Sequence, residues 1–319
     1  MAVKVVTVFG GGGFIGRYVV RTLAKAETRD GEKQMRIRIA QRHPEQALFL
    51  RPQGKLGQIS LAAANVRDDA SVAAAVEGAD FVVNLVGILY QRGPQRFDAV
   101  HVAAAKRVAL RARAAGVERL VHFSALGADP NSPALYAQSK AAGERAVLDQ
   151  FPDATIIRPS IAFGPDDDFF NRFAILARLL PALPLIGGGL TRFQPVYAGD
   201  IAEAVSRVLQ IPEARGRIYE LGGPRIYTFK QLMEILLEEI GRRRLLIPIP
   251  FLVAELQGRL LQLSPLTPLL TRDQVLMLKR DAVVSPGAHD LKELGIEPTA
   301  LELIVPTYLR RFRRTAWAA

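Results

Sequence analysis

Short runs of β-branched and apolar residues alternate with helical stretches through about residue 160, the pattern of a parallel sheet flanked by helices. Val3–Phe9 reads as a first strand, followed by a helix over Gly16–Glu27. Met35–Gln41 and Gln58–Ala63 predict strands two and three, and Asp80–Val86, apolar nearly throughout, a buried fourth. A long Ala-rich helix is expected over Gln95–Ala115, a fifth strand over Glu118–Ser124, a helix over Pro133–Gln150 and a sixth strand over Ala154–Arg158. Beyond this point prolines and glycines cluster in Pro181–Gly189, where a parallel sheet needs a crossover helix. Thr228 and Gln231 form a capping box, and Phe229, Leu232, Met233, Leu236, Leu237 and Ile240 then fall on one helical face. The pattern predicts an α/β chain: a doubly wound parallel sheet over residues 1–165, to which later elements contribute, and a smaller, partly interleaved lobe over 166–319.

Composition narrows the chemistry. A chain of 319 residues that is 49% hydrophobic can bury a sizeable core. It has no cysteine, which removes disulfides, thiolate metal sites and thiol nucleophiles. His43, His101, His122 and His289 lack metal-ligand spacing, so no metal is expected. The net charge of +11, from 42 Lys+Arg against 31 Asp+Glu, suits either an anionic partner or a solvated basic surface. No apolar run reaches the ~20 residues of a membrane span. The first strand begins so early that no signal or transit peptide is expected before it.

The first strand runs into Gly10-Gly-Gly-Gly13-Phe14-Ile15-Gly16 and then a helix. A tight turn, a backbone without side chains and a helix N-terminus together suit a pyrophosphate, so Gly10, Gly13, Phe14, Ile15 and Gly16 are the expected cradle of a Rossmann-type dinucleotide fold. Ala40-Gln41-Arg42-His43 closes the second strand without the acidic residue that reads a free ribose 2′-hydroxyl. Arg42, joined by Arg17, can instead pair with a 2′-phosphate, which points to NADP(H). Asn65 and Val66, after the third strand, are placed to flank adenine. Val86, Gly87 and Ile88 follow the fourth, where the cofactor crosses the sheet edge.

Tyr136 and Lys140 stand four residues apart on one predicted helix face. A lysine that lowers the phenol pKa and holds a ribose, a tyrosine that exchanges a proton, and Ser124 orienting the substrate oxygen form a coherent catalytic set. With these residues, the Arg158–Pro165 run and Gln194–Ile201, the chain resembles the extended and atypical short-chain dehydrogenase/reductase superfamily. The resemblance implies that Pro159 and Ile161 touch the nicotinamide.

Ser264–Pro268, Leu270–Val275 and Asp290–Ile296 are similar to one branch, the nucleotide-binding accessory subunit of respiratory complex I, NADH:ubiquinone oxidoreductase. That resemblance implies a tightly held NADP(H), no turnover of its own, other complex I subunits as partners and, in a bacterial form, a peripheral position on the cytoplasmic face of the inner membrane. Two readings stay open beside it: a free NADP-dependent reductase, epimerase or dehydratase acting on a small molecule, and a regulatory dinucleotide sensor. Arg242-Arg243-Arg244 before an apolar, proline-broken stretch, and Arg310, Arg311, Arg313 and Arg314 before Trp317, predict a C-terminal lobe that docks at an anionic membrane surface or a protein groove. No aromatic-interleaved basic stripe marks a nucleic-acid binder.

Overall fold

The computed structural model describes residues 3–26, 35–262 and 268–313. In chain order its first half runs β1 (Val5–Phe9), α1 (Phe14–Lys25), β2 (Arg36–Gln41), β3 (Ile59–Ala63), α2 (Asp69–Val76), β4 (Phe81–Asn84), α3 (Ala104–Ala114), β5 (Arg119–Phe123), α4 (Leu135–Gln150) and β6 (Thr155–Pro159). The strands sit where the apolar runs place them, with two differences. β4 stops at Asn84, so Val86 has left the sheet. The helix expected from Gln95 starts at Asp98, as a π-helical turn over Asp98–Ala103 that leads into α3. α2 is an addition; its N-cap is Asp68, whose carboxylate accepts from the Ser71 amide at 2.7 Å.

The second half adds β7 (Ala162–Phe163), α5 (Asp168–Leu179), β8 (Ala182–Ile186), β9 (Arg192–Phe193), β10 (Val196–Tyr197), α6 (Ala198–Gln210) and β11 (Ile218–Leu221). β12 (Tyr227–Thr228), α7 (Phe229–Glu239), β13 (Leu245–Ile249), α8 (Phe251–Leu261), α9 (Arg272–Met277) and α10 (Leu301–Leu309) complete it. Seven strands form one sheet in the order β3-β2-β1-β4-β5-β6-β11, all parallel. This is the doubly wound Rossmann-type α/β arrangement, with the strand order reversing between β1 and β4. β11 joins only after α5, β7 to β10 and α6, and most of the smaller lobe follows it in the chain. α6 returns with it and packs on α1, where Ile201, Val205 and Val208 meet the core around Val19 and Leu23.

The smaller lobe has its own core of α5, α7 and α10 side chains, including Phe170, Leu236 and Val305. The capping box at Thr228 and Gln231 is formed, and all six apolar positions of the predicted face are buried. Pro181–Gly189 holds β8, which pairs in parallel with β13. α5 is anchored by buried Asp167, which accepts from the Phe170 and Asn171 amides at 2.7 and 3.2 Å and from the Tyr308 hydroxyl at 2.5 Å. Ser264–Thr267, Arg314 and Trp317 lie outside the described residues. Among the described residues no helix is long and apolar enough to cross a membrane, and no group of side chains could hold a metal ion.

One ion network ties the halves together. Arg158 on β6 donates to both carboxylate oxygens of Glu144 on α4, at 2.9 and 2.6 Å, and to Glu220 on β11 at 3.3 Å. Glu220 also accepts from the Ser285 amide at 2.8 Å. Glu144 and Glu220 are both buried. Arg158→Ala leaves two buried carboxylates without their cation and is expected to cost about 3 kcal/mol or more, read as a lowered urea midpoint. An unchanged midpoint would show that solvent reaches these carboxylates.

Candidate dinucleotide site

The sheet order reverses between β1 and β4, so the loops after these strands diverge and leave a crevice. The glycine loop lines one side. Gly10 has φ +78 and its amide donates to the Ala40 carbonyl at 3.0 Å; the Gly13 amide then turns back onto the Gly10 carbonyl, also at 3.0 Å. A Cβ on Gly16 would stand 2.3 Å from the Gly10 carbonyl oxygen, so only glycine lets α1 start this close to β1. The N-cap of α1 is Gly13, with no side-chain cap and no acidic residue in the first turn. The first-turn amides of Phe14 and Ile15 therefore face the crevice with the positive end of the helix dipole, a cradle suited to pyrophosphate.

The end of β2 supplies the adenosine side. Gln41 folds onto the loop, accepting from the Gly12 amide at 3.1 Å and donating to the His43 carbonyl at 2.6 Å. Gln41 carries no charge, and Arg42 beside it is exposed and makes no ion pair among the described residues. Arg17 is placed differently from the expectation that it joins Arg42. Its guanidinium pairs with Asp166 at 2.9 Å and lies 5.1 Å from the Phe49 ring centroid, while its buried Nε has no partner. Asn65 closes its own turn by accepting from the Arg67 amide at 3.1 Å, and the Val66 carbonyl accepts from Arg107 at 2.9 Å.

At the other end, Tyr136 and Lys140 share one face of α4, and Lys140 reaches the end of β5, next to Ser124. All three are buried. Lys140 Nζ donates to the Phe123 carbonyl at 3.1 Å and lies 5.9 Å from the Tyr136 ring centroid. The Ser124 Oγ is buried and has no hydrogen-bond partner in the protein, an orphan that a ligand oxygen would satisfy. Gly87 completes the group: a Cβ there would be 3.3 Å from Lys140 Nζ. The Pro159 carbonyl accepts from the Leu126 amide at 3.0 Å and that of Ile161 from the Val196 amide at 2.9 Å, which holds this segment at the sheet edge.

Burial governs the electrostatics. It pulls the Lys140 ammonium down to about 8, against the opposing pull of Glu144. The phenol of Tyr136 differs from expectation. Instead of being lowered by Lys140, it is pushed up to about 12, chiefly by burial and further by Asp273. The spacing does not reveal His101 and Asn84. The Ile88 amide donates to His101 Nε2 at 3.0 Å. Ser139 Oγ donates to the Tyr136 carbonyl at 2.7 Å, so at 2.8 Å from His101 Nδ1 it accepts a hydrogen bond from the Nδ1–H. This fixes one neutral tautomer, and burial with the nearby Lys140 charge holds the imidazole at about 3. Asn84 accepts from the Val86 amide at 3.2 Å and contacts His122 Nδ1 at 3.2 Å. Val86, Gly87 and Ile88 are thereby pinned from both sides. No sequence motif links these partners, because the sheet alone brings them together.

The depressed pKa of Lys140 has a measurable consequence. A base whose folded-state pKa falls from 10.5 to about 8 penalises folding at all lower pH, and the penalty fades between pH 8 and 10.5. Lys140→Met is therefore expected to raise the urea midpoint of the cofactor-free protein at pH 7, with a smaller gain at pH 10. The same variant should bind dinucleotide more weakly. A gain that does not shrink with pH would show that the ammonium carries no such penalty.

The comparisons with known proteins agree with this geometry. The NAD dependent epimerase/dehydratase family matches residues 6–222. The chain is 36% identical over 98% of its length to NADH dehydrogenase [ubiquinone] 1 alpha subcomplex subunit 9, mitochondrial, of Rattus norvegicus, and covers 81% of that protein. It is 29% identical to a ceramide reductase of Caulobacter vibrioides, over 77% of this chain and 74% of that one. Among solved structures, the Citrobacter sp. triphenylmethane reductase complexed with NADP(H) superposes with a TM-score of 0.73 at 20% identity, covering 95% of this chain and 99% of that one. With the glycine cradle and the Tyr136–Lys140 pair in place, the chain belongs to the NAD dependent epimerase/dehydratase family, the extended short-chain dehydrogenase/reductases, and is a homologue over nearly its whole length of the complex I alpha subcomplex subunit 9.

Proposed function

We propose that this chain is an accessory subunit of respiratory complex I that carries a tightly bound NADP(H) for structure rather than turnover. The observation that carries this reading is the 36% identity to the rat complex I protein across 98% of the chain. In this reading residues 1–165, with α6 and β11, hold the dinucleotide, and the rest of 166–319 docks. Arg42 takes the 2′-phosphate, with Arg17 available once it leaves Asp166. Asn65 and Val66 border the adenine. Lys140 holds the nicotinamide ribose, and Ser124, Pro159 and Ile161 border the nicotinamide, a group that supplies hydride chemistry when bound. A phenol held at about 12 stays protonated at neutral pH. The cavity beside it, lined by Tyr90, Phe97, Leu135 and Asp273, has a volume of about 170 Å³.

Docking falls to the smaller lobe. Leu252, Leu256 and Leu260 on α8 are 81%, 59% and 62% exposed, and Leu245 at the start of β13 is 71% exposed. Arg242–Arg244 precede β13, and Arg310, Arg311 and Arg313 follow α10. The exposed leucines of α8 and β13, with Arg242–Arg244 just before β13, suit a partner subunit at an anionic membrane edge, in a bacterial cell the cytoplasmic face of the inner membrane. The identity to the ceramide reductase favours a second reading, a free NADP-dependent reductase.

Native purification separates the two. The accessory reading expects the chain to migrate with the membrane NADH dehydrogenase assembly, and Leu252→Asp with Leu256→Asp to release it while its thermal melting stays unchanged. A wild-type chain found only free in the soluble fraction overturns it. NADP(H) should bind at least about ten-fold more tightly than NAD(H), because a charge-assisted pair to the 2′-phosphate is worth about 1.5–3 kcal/mol. Arg42→Asp should erase that preference; equal binding of the two cofactors by wild type would refute it. Tyr136→Phe should leave cofactor binding and the respiratory rate intact. Carbonyl-dependent NADPH oxidation that vanishes in Tyr136→Phe would establish the free reductase instead.

A further inference from the structure

The helix that presents Tyr136 and Lys140 is not capped by its own segment. Its N-cap is Ala134, which offers no side-chain acceptor. The amides of Leu135 and Tyr136 donate instead to the two carboxylate oxygens of Asp273, at 2.6 and 2.9 Å. Asp273 lies in α9, in the C-terminal part of the chain. A carboxylate in this place satisfies two helix donors and meets the positive end of the α4 dipole. A second bond runs alongside, from Arg280 just after α9 to Asp129 in the loop before α4.

α9 is in turn fixed to α8. Its own capping box is formed, with Thr271 and Gln274 exchanging bonds of 3.0 and 3.1 Å. A Cβ on Gly258 of α8 would stand 2.6 Å from the Arg272 amide nitrogen and 2.8 Å from the Thr271 carbonyl carbon, so the two backbones touch. Ala254 and Val275 are fully buried in this junction, and Lys279 pairs with Glu255 at 2.6 Å. The outer side of α8 carries the exposed leucines 252, 256 and 260. Packed backbone and paired charge therefore run without a gap from that apolar face to the first turn of the Tyr136 helix.

We propose that Asp273 is a positioning residue that sets the first turn of α4, and with it Tyr136 and Lys140, against the α8–α9 pair, so that a partner seated on α8 tightens the hold on the nicotinamide end of the dinucleotide. This rests on the dinucleotide and docking readings above and adds the link between them. The coupling is reciprocal: a bound dinucleotide that favours the seated α4 also favours the α8 geometry the partner meets. The adenosine end, held by the glycine loop and the end of β2, lies on other elements and is outside the link.

The experiment titrates the isolated full chain with NADPH, and in parallel with adenosine 2′,5′-bisphosphate, which fills only the adenosine half. Asp273→Ala is expected to weaken NADPH about ten-fold while the bisphosphate stays within about two-fold of wild type. Asp273→Asn keeps one acceptor oxygen and should fall between. Gly258→Ala pushes the start of α9 aside without touching the carboxylate and should give the same selective loss. A general folding defect would weaken both ligands together, and that parallel loss overturns the proposal, as does NADPH binding unchanged in Asp273→Ala. Selective loss in Asp273→Ala with none in Gly258→Ala overturns the link to α8. A wild-type chain that binds neither ligand refutes the dinucleotide reading and this inference with it. Failure to assemble into a respiratory complex, with the selective loss intact, refutes the accessory role and the partner's share of this link and leaves Asp273 as a positioning residue for α4.

Discussion

Between Gly10 and Gly16 the chain leaves β1, turns and begins α1 in a space that admits no methyl group at Gly16, where a Cβ would meet the Gly10 carbonyl at 2.3 Å. This closeness aims the first amides of α1 at the crevice between β1 and β4. The turn is braced from β2, because Gln41 accepts from the Gly12 amide and the Ala40 carbonyl takes the Gly10 amide. α1 then packs along α6, which fixes its far end to the sheet. The anion cradle is thus a property of four elements held in register.

The other end of the crevice is organised by buried polar groups with a single arrangement. Lys140, His101, His122, Asn84 and Ser124 are all at least nine-tenths inside the protein. Their hydrogen bonds settle one tautomer of His101 and pin the turn at Gly87, beside which Lys140 Nζ stands. Such a network is rigid because each broken bond leaves a desolvated group without a partner. The orphaned Ser124 hydroxyl is the place where the network stops short of completion. Stability is conceded there, as it is at the buried ammonium of Lys140, in the manner of sites shaped for a ligand.

The smaller lobe is inserted in the sheet's own topology. β6 and β11 are neighbours, yet α5, β7 to β10 and α6 lie between them in the chain, and the rest of the lobe follows. Arg158 crosses that junction by holding Glu144 and Glu220, and Glu220 in turn accepts from Ser285. Asp273 crosses it again at the Tyr136 helix. A displacement of the lobe is therefore opposed by buried charge at one contact and by a helix cap at the other.

The alternating apolar runs determined six strands of the sheet, because a strand buried on both faces shows a continuous apolar signal. The glycines, the missing acid at Gln41 and the Tyr136–Lys140 spacing were likewise local, since backbone clearance and helical periodicity act over a few residues. β11 was not legible: four residues with a glutamate among them carry no strand signal until Arg158 neutralises Glu220. The π turn at Asp98–Ala103 was hidden too, and it leaves the His101 carbonyl so near α4 that a Cβ on Gly143 would stand 2.2 Å from it. The Arg17 pairing was hidden for the same kind of reason, since its partner Asp166 lies far away along the chain, between β7 and α5. The direction of the Tyr136 shift depended on how deeply its helix was buried and on a carboxylate 137 residues away. Sequence alone set the glycine turn and the spacing of Tyr136 and Lys140, because those follow from neighbours along the chain. Charge state, tautomer and the tie between lobes belong to tertiary structure, because desolvation and pairing depend on groups that only folding brings together.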